Sequence, residues 1–184
     1  MSSWIESLGL GIARAALLFL PALIANAMPL IARKAFKERK FTPVDFGRSF
    51  IDGKRIFGDN KSWEGILAGI AGGSAVGAAF YAYTHNPFWI IYGFLMGSGT
   101  MAGDLLNSFI KRRINIRPGD PFVPFDQITF LLASYALVYF SGILHNLEIY
   151  LGSQDLLLGL FLVIVLHPIA NLFAYLLKIK KTPW

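Results

Sequence analysis

Five apolar stretches, at about 8–32, 64–84, 88–111, 126–147 and 154–177, occupy most of the 184 residues. Each is long enough to cross the hydrocarbon core of a bilayer, which takes roughly 20 residues as helix. Hydrocarbon offers no partner to a backbone N–H or C=O, so such stretches must satisfy themselves as helices. The expected fold is therefore all-α and polytopic: one integral-membrane domain over 1–184 with five transmembrane helices. Composition agrees, with 55% hydrophobic residues, a mean hydropathy of +0.54 and only 15% charged residues. Cysteine is absent, which excludes disulfides and thiolate metal sites. The first stretch is read as a retained helix: Glu6 stands where a signal peptide carries cations, and no clear cleavage site follows.

The net charge of +6 would suggest nucleic acid in a soluble protein, but in a membrane protein it is read loop by loop. Residues 33–63 hold nine cations, residues 111–117 four more, and the tail adds Lys178, Lys180 and Lys181. The loops at Thr84–Pro87 and His145–Ser153 hold none. The positive-inside rule then makes the first set cytoplasmic, with the N-terminus outside, the C-terminus cytoplasmic and two functional cytoplasmic loops at about 33–63 and 112–126. No nucleic acid partner is expected. Arg14, the one remaining cation, is read as snorkelling from the outer end of the first helix.

Helix packing is legible in the glycines. Gly65, Gly69, Gly73 and Gly77 recur every four residues, and Gly93, Gly97, Gly99 and Gly103 offer matching small faces. Small-xxx-small faces let membrane helices approach closely, either within a chain or across a homodimer. Two helices are interrupted by proline: Pro21 and Pro29 flank Asn26, and His167-Pro168 is followed by Asn171. His167 shares a helix face with Asn171, as a bond inside the bundle or as a substrate contact.

The cytoplasmic loops hold the chemistry. "GDLLNSFIKRRINIRPGDPFVPFDQ", residues 103–127, places three aspartates among four cations. On a helix, Asp104, Ser108, Lys111 and Arg112 share one face, and Asp104 lies about two turns inside the cytoplasmic end. An ionisable residue at that depth is a functional candidate. Asp120 and Asp126 return further carboxylates after the Pro118-Gly119 turn. Two readings stand: mutual salt bridges that hold a loop, or a site for a metal–polyphosphate complex, in which Mg²⁺ takes oxygen ligands and cations neutralise phosphate. In the first loop, "DFGRSFIDGKRIFGDNKSWEG" (45–65) contains turn signals and alternation over Ser49–Phe57 that allows a short hairpin. GDNKS lacks the P-loop spacing. Lys61 is read as a phosphate ligand or as a residue snorkelling to the surface, and Glu64 as a site residue or a first-turn acid.

These blocks, together with "PALIANAMP" and "HPIANLFAYLLKIKKTPW", resemble the CDP-alcohol-forming lipid cytidylyltransferases and, within them, the archaeal CDP-archaeol synthase family. The resemblance covers nearly the whole chain. It departs from the bacterial phosphatidate enzymes, which are longer and carry an Asp-Arg pair where Asp126-Gln127 stands here. The resemblance implies transfer of CMP from CTP to the phosphate of 2,3-di-O-geranylgeranylglyceryl phosphate. That reaction yields CDP-archaeol and pyrophosphate on the cytoplasmic face of the cell membrane. It further implies Mg²⁺ held by Asp104, Asp120 and Asp126, with Asp104, Asp126 and Lys111 as catalytic residues. Lys61, Lys111, Arg112 and Arg113 would hold the CTP triphosphate, and Asn60, Ser62 and Ser108 would orient its oxygens. The implied partners are CTP, the isoprenoid ether lipid phosphate and the surrounding membrane lipids. The alternative is a small transporter or channel whose acidic cluster is a cation site.

Overall fold

The structure, a computed structural model, describes residues 2–36 and 40–177. The tail lysines, Lys37, Arg39 and the side chain of His167 lie outside the described residues. Among the described residues the regular elements are helices: α1 (Ser2–Ala35), α2 (Trp63–Thr84), α3 (Phe88–Arg113), α4 (Phe125–Ser141), a one-turn α5 (Ile143–Asn146) and α6 (Ser153–Leu176). Three spans, Glu6–Ala35, Trp63–Thr84 and Ser153–Phe173, are long and apolar enough to cross a membrane. The fourth expected helix is shorter than the apolar pattern suggested. Gly142 adopts a left-handed φ of 73° and stops α4 at Ser141, so residues 143–147 form a separate turn instead of continuing the helix.

α3 is the centre of the bundle, packed against α1, α2 and α4. Its glycines divide between two neighbours. A Cβ on Gly93 would meet the carbonyl oxygen of Gly73 at 2.5 Å and the Cα of Gly77 at 2.8 Å. A Cβ on Gly103 would meet the Cα of Phe130 in α4 at 2.7 Å. The glycine ladder of α2 is therefore used inside the chain. Leucine at position 93 would have to displace backbone, which does not yield as a flexible side chain does. Gly93→Leu is expected to cost about 3 kcal/mol or more, at the upper end of overpacking, and to appear as aggregation or a sharply lowered unfolding midpoint in detergent.

The core lies away from the charged loops, between α1, α3, α4 and α6, where Phe19, Tyr92, Met96, Phe130, Leu131 and Val163 are buried together. Polar groups within it are bonded across helices. The Tyr92 hydroxyl donates to the Leu18 carbonyl at 2.7 Å, three residues before Pro21. Thr100 and Ser134 share a hydrogen bond of 2.9 Å, and Ser134 also donates to the Met96 carbonyl at 3.1 Å. Arg14, expected to snorkel, instead pairs with Asp155 at 3.3 Å and donates to the Tyr150 carbonyl, joining α1 to the start of α6.

Candidate active site

The first loop folds around one carboxylate. The Asp45 side chain is fully buried and accepts hydrogen bonds from the N–H groups of Gly47 (3.0 Å), Phe57 (3.0 Å) and Gly58 (2.9 Å), and from Arg55 Nη2 (2.6 Å). Burial pushes the Asp45 carboxyl up, but the Arg55 guanidinium and the three N–H donors outweigh it and hold the group far below the usual carboxylate range. This knot fixes the chain that follows, Phe57 to Lys61, beside α3. The expected hairpin is present in short form: Ser49 and Arg55 pair, and Phe50 N–H donates to the Lys54 carbonyl at 2.7 Å. Glu64 is a first-turn acid of α2, and both its oxygens accept from the Thr42 N–H, at 3.1 and 2.9 Å.

Between this loop, the end of α3 and the 118–126 turn lies a cavity of about 360 Å³. Its walls carry Asn60, Lys61, Asp104, Ser108, Lys111, Arg112, Asp120 and Asp126, and it is also lined by Asn26 of α1 and by Pro168 and Asn171 of α6. Both proline-containing helices run unbroken through their prolines, against the expected interruption, and deliver their asparagines to the same space. Lys61 and Lys111, 50 residues apart in sequence, both reach it.

Asp104 and Asp126, the two helical carboxylates of the cavity, are each held by a lysine. Lys61 Nζ lies 2.9 Å from Asp104. Lys111 Nζ bonds both oxygens of Asp126, at 2.9 and 3.0 Å, and donates to the Asp120 carbonyl at 2.6 Å. Asp126 also accepts from the Phe122 N–H at 2.7 Å and from Asn107 at 2.5 Å. Arg112 is only 8% exposed, and its Nε and Nη1 have no hydrogen-bond partner. A buried guanidinium without partners costs free energy that an incoming anion would recover.

Two expected ligands are placed elsewhere. Arg113 turns away from the cavity, because its guanidinium lies over the rings of Phe50 and Phe109 and pairs with Asp52 at 3.0 Å. Ser62 is the N-cap of α2, its hydroxyl accepting from Gly65 N–H at 3.2 Å, and it lines a smaller side recess with Lys61 and Asp104. Conversely, Asn107 and Gln127 line the cavity although both are 5% exposed, and Asn107 Oδ1 is without a partner. Asn107 lies three residues after Asp104 and four before Lys111, so helical spacing alone could have placed it on their face.

Asp104, Asp120 and Asp126 face one cavity, yet among the described residues no three carboxylates or histidines converge as a metal-binding group. The arrangement therefore does not suit an all-protein cage. It does suit Mg²⁺, which is commonly held by one or two carboxylates and otherwise by substrate phosphates and water.

Comparison with known proteins bears on what this cavity serves. The family model described as CarS-like, CDP-archaeol synthase, matches residues 11–184. CDP-archaeol synthase of Pyrobaculum aerophilum is 39% identical over 91% of this chain and 96% of its own length. That of Sulfolobus acidocaldarius is 40% identical over 90% and 94%. A solved structure described as an intramembrane enzyme for archaeal membrane lipids biosynthesis superposes with a TM-score of 0.74 at 35% identity, covering 87% of this chain and 94% of that one.

Proposed function

The chain belongs to the CDP-archaeol synthase family, and we propose that it transfers CMP from CTP to the phosphate of 2,3-di-O-geranylgeranylglyceryl phosphate. The observation that carries this reading is the single cavity in which Asp104, Asp126, Lys61, Lys111 and Arg112 meet, open between charged loops on one side and membrane helices on the other. A phosphate oxygen of the lipid attacks the α-phosphorus of CTP, the bond to the β-phosphate oxygen breaks, and pyrophosphate leaves with the electron pair. Lys61, Lys111 and Arg112 supply the positive charge that the triphosphate needs, and that the departing pyrophosphate needs more. Asn60 and Ser108, which line the cavity, would donate to phosphate oxygens. Asp104 and Asp126 would hold Mg²⁺, with Asp120 beside them, and the ion would neutralise charge developing on the phosphates.

In this reading α3 and α4 cross the bilayer with the three strongly apolar spans, giving five crossings. The Lys- and Arg-rich loops, and the cavity, face the cytoplasm of a cell membrane. The glycine ladder is used internally, so a homodimer would require another surface. The transport alternative finds no support among the relatives described.

Purified protein in detergent, where transport is impossible, should convert labelled CTP and the ether lipid phosphate to a CDP-lipid. ATP, GTP and UTP should be poor donors. EDTA should abolish turnover and Mg²⁺ restore it; full activity in EDTA would remove the metal from this account, and no product with CTP would remove the reaction.

A further inference from the structure

The tip of the first loop exposes an apolar surface that none of the described residues covers. Ile51, at the turn of the 49–55 hairpin, is 94% exposed, and Phe46 in the preceding turn is 64% exposed. This exposure is imposed by a braced frame. Phe50 packs edge-on against Phe109 of α3, with ring centroids 5.2 Å apart. Lys54 Nζ donates to the Arg113 carbonyl at 2.8 Å, and Arg113 donates to the Arg55 carbonyl at 2.6 Å.

The brace sets the depth of the tip. Phe109 lies four residues before the end of α3, about 6 Å along the helix axis, and helical side chains lean towards the N-terminus, here away from the cytoplasm. The hairpin therefore lies alongside the helix end. Beside Phe109 run Leu106 and Ile110, continued by Ile114 at the C-cap, an exposed apolar row along α3 that in a spanning helix faces lipid. The hairpin tip continues that row. Its flanks are cationic: residues 33–63 carry nine Lys and Arg against four Asp and Glu. Arg48 beside the tip is exposed and forms no ion pair among the described residues.

We infer that the 49–55 hairpin and the turn before it form an interfacial anchor, with Ile51 and Phe46 inserted at the boundary of acyl chains and headgroups of the anionic cytoplasmic leaflet. Apolar side chains at such a depth, flanked by cations, are what binds a peripheral element to a charged bilayer. The anchor acts on the site through covalent continuity, because the base of the hairpin leads into the Asp45 knot and on to Asn60 and Lys61. The bilayer becomes one of the surfaces that holds the loop wall of the cavity.

The chain has no cysteine, so single-cysteine nitroxide labels report cleanly. Ile51→Cys is labelled in phosphatidylcholine–phosphatidylglycerol vesicles, with Leu106→Cys as the lipid-facing reference and Arg117→Cys as the aqueous one. The label at 51 is expected to collide with oxygen more than with a water-soluble nickel chelate, as at 106, and to reverse that preference after transfer to lipid-free amphipol. A label at 51 that matches position 117 in vesicles overturns the anchor. So does one shielded from both reagents and broadened by a second label, which would mean that another copy of the chain covers the tip. An aqueous reading at 106 would refute the spanning of α3 and the anchor with it, leaving the transfer reaction to its own assay.

Discussion

Asparagine at position 104 is expected to abolish turnover while leaving the protein folded, and asparagine at 126 to abolish turnover at a measurable cost in stability. Both changes keep the shape of the side chain and remove the charge that would hold Mg²⁺ against the triphosphate. Loss of one such electrostatic element costs on the order of 10²–10³ in rate, and more when the group acts as part of a unit. The two sites differ in what else depends on them. Asp104 has Lys61 as its one side-chain hydrogen-bonding partner among the described residues. Lys61 keeps a quarter of its side chain in solvent and can be rehydrated. Asp126 is bonded by Lys111 at both oxygens, by the Phe122 N–H and by Asn107, at the start of α4. An amide there turns one acceptor into a donor facing donors. The expected loss is about 1.5–3 kcal/mol, read as a lowered unfolding midpoint. Turnover, elution profile and thermal unfolding in detergent, measured together on both variants, decide the matter. Wild-type turnover in monodisperse Asp104→Asn would make the Asp104–Lys61 pair a structural tie only.

The asymmetry explains what could be read from the sequence and what could not. Apolar length and one-sided charge pointed to a helical membrane protein, because a bilayer permits little else. Gly65 to Gly77 pointed to close packing for the same kind of reason: a repeat of four on a helix is one face. Other features depended on contacts distant in sequence. Lys61 and Asp104 are 43 residues apart, and only the knot around Asp45 turns the loop so that they meet. Arg113 looked like its neighbours Lys111 and Arg112. One step of 100° along the helix carries it to the far side of α3, where Phe50, Phe109 and Asp52 were ready to take it. Asp45 was passed over because a buried carboxylate bonded by backbone N–H groups leaves no spacing pattern. The end of α4 was missed for a local reason, since Gly142 interrupts an apolar run without changing its hydropathy.

Arg112 supplies the sharpest test of whether the cavity is built for an anion. Its side chain is buried at the end of α3, with Nε and Nη1 unpartnered. Asp120 attracts it through space but makes no ion pair with it. Unlike Arg113, which has Asp52 and two aromatic rings beside it, Arg112 has no ion pair among the described residues to offset its burial, and an unpaired buried charge destabilises the fold that holds it. Arg112→Met keeps the apolar stem that lies beside Gly58 and Pro118 and deletes the charge. In the absence of nucleotide the unfolding midpoint is therefore expected to stay the same or rise. If relief of the buried charge amounts to about 1 kcal/mol, the rise is about 2–4 °C for a chain of this size. Affinity for Mg²⁺–CTP should move the opposite way. Loss of charge-assisted bonds to phosphate costs on the order of 1.5–3 kcal/mol, which is at least tenfold in Kd. The signature is the divergence of the two measurements, which a structural strut cannot produce. A strut would lose stability on substitution and keep its affinity for CTP. That outcome, seen by calorimetry and thermal unfolding on the same preparation, would return Arg112 to the scaffold and leave Lys61 and Lys111 to hold the triphosphate.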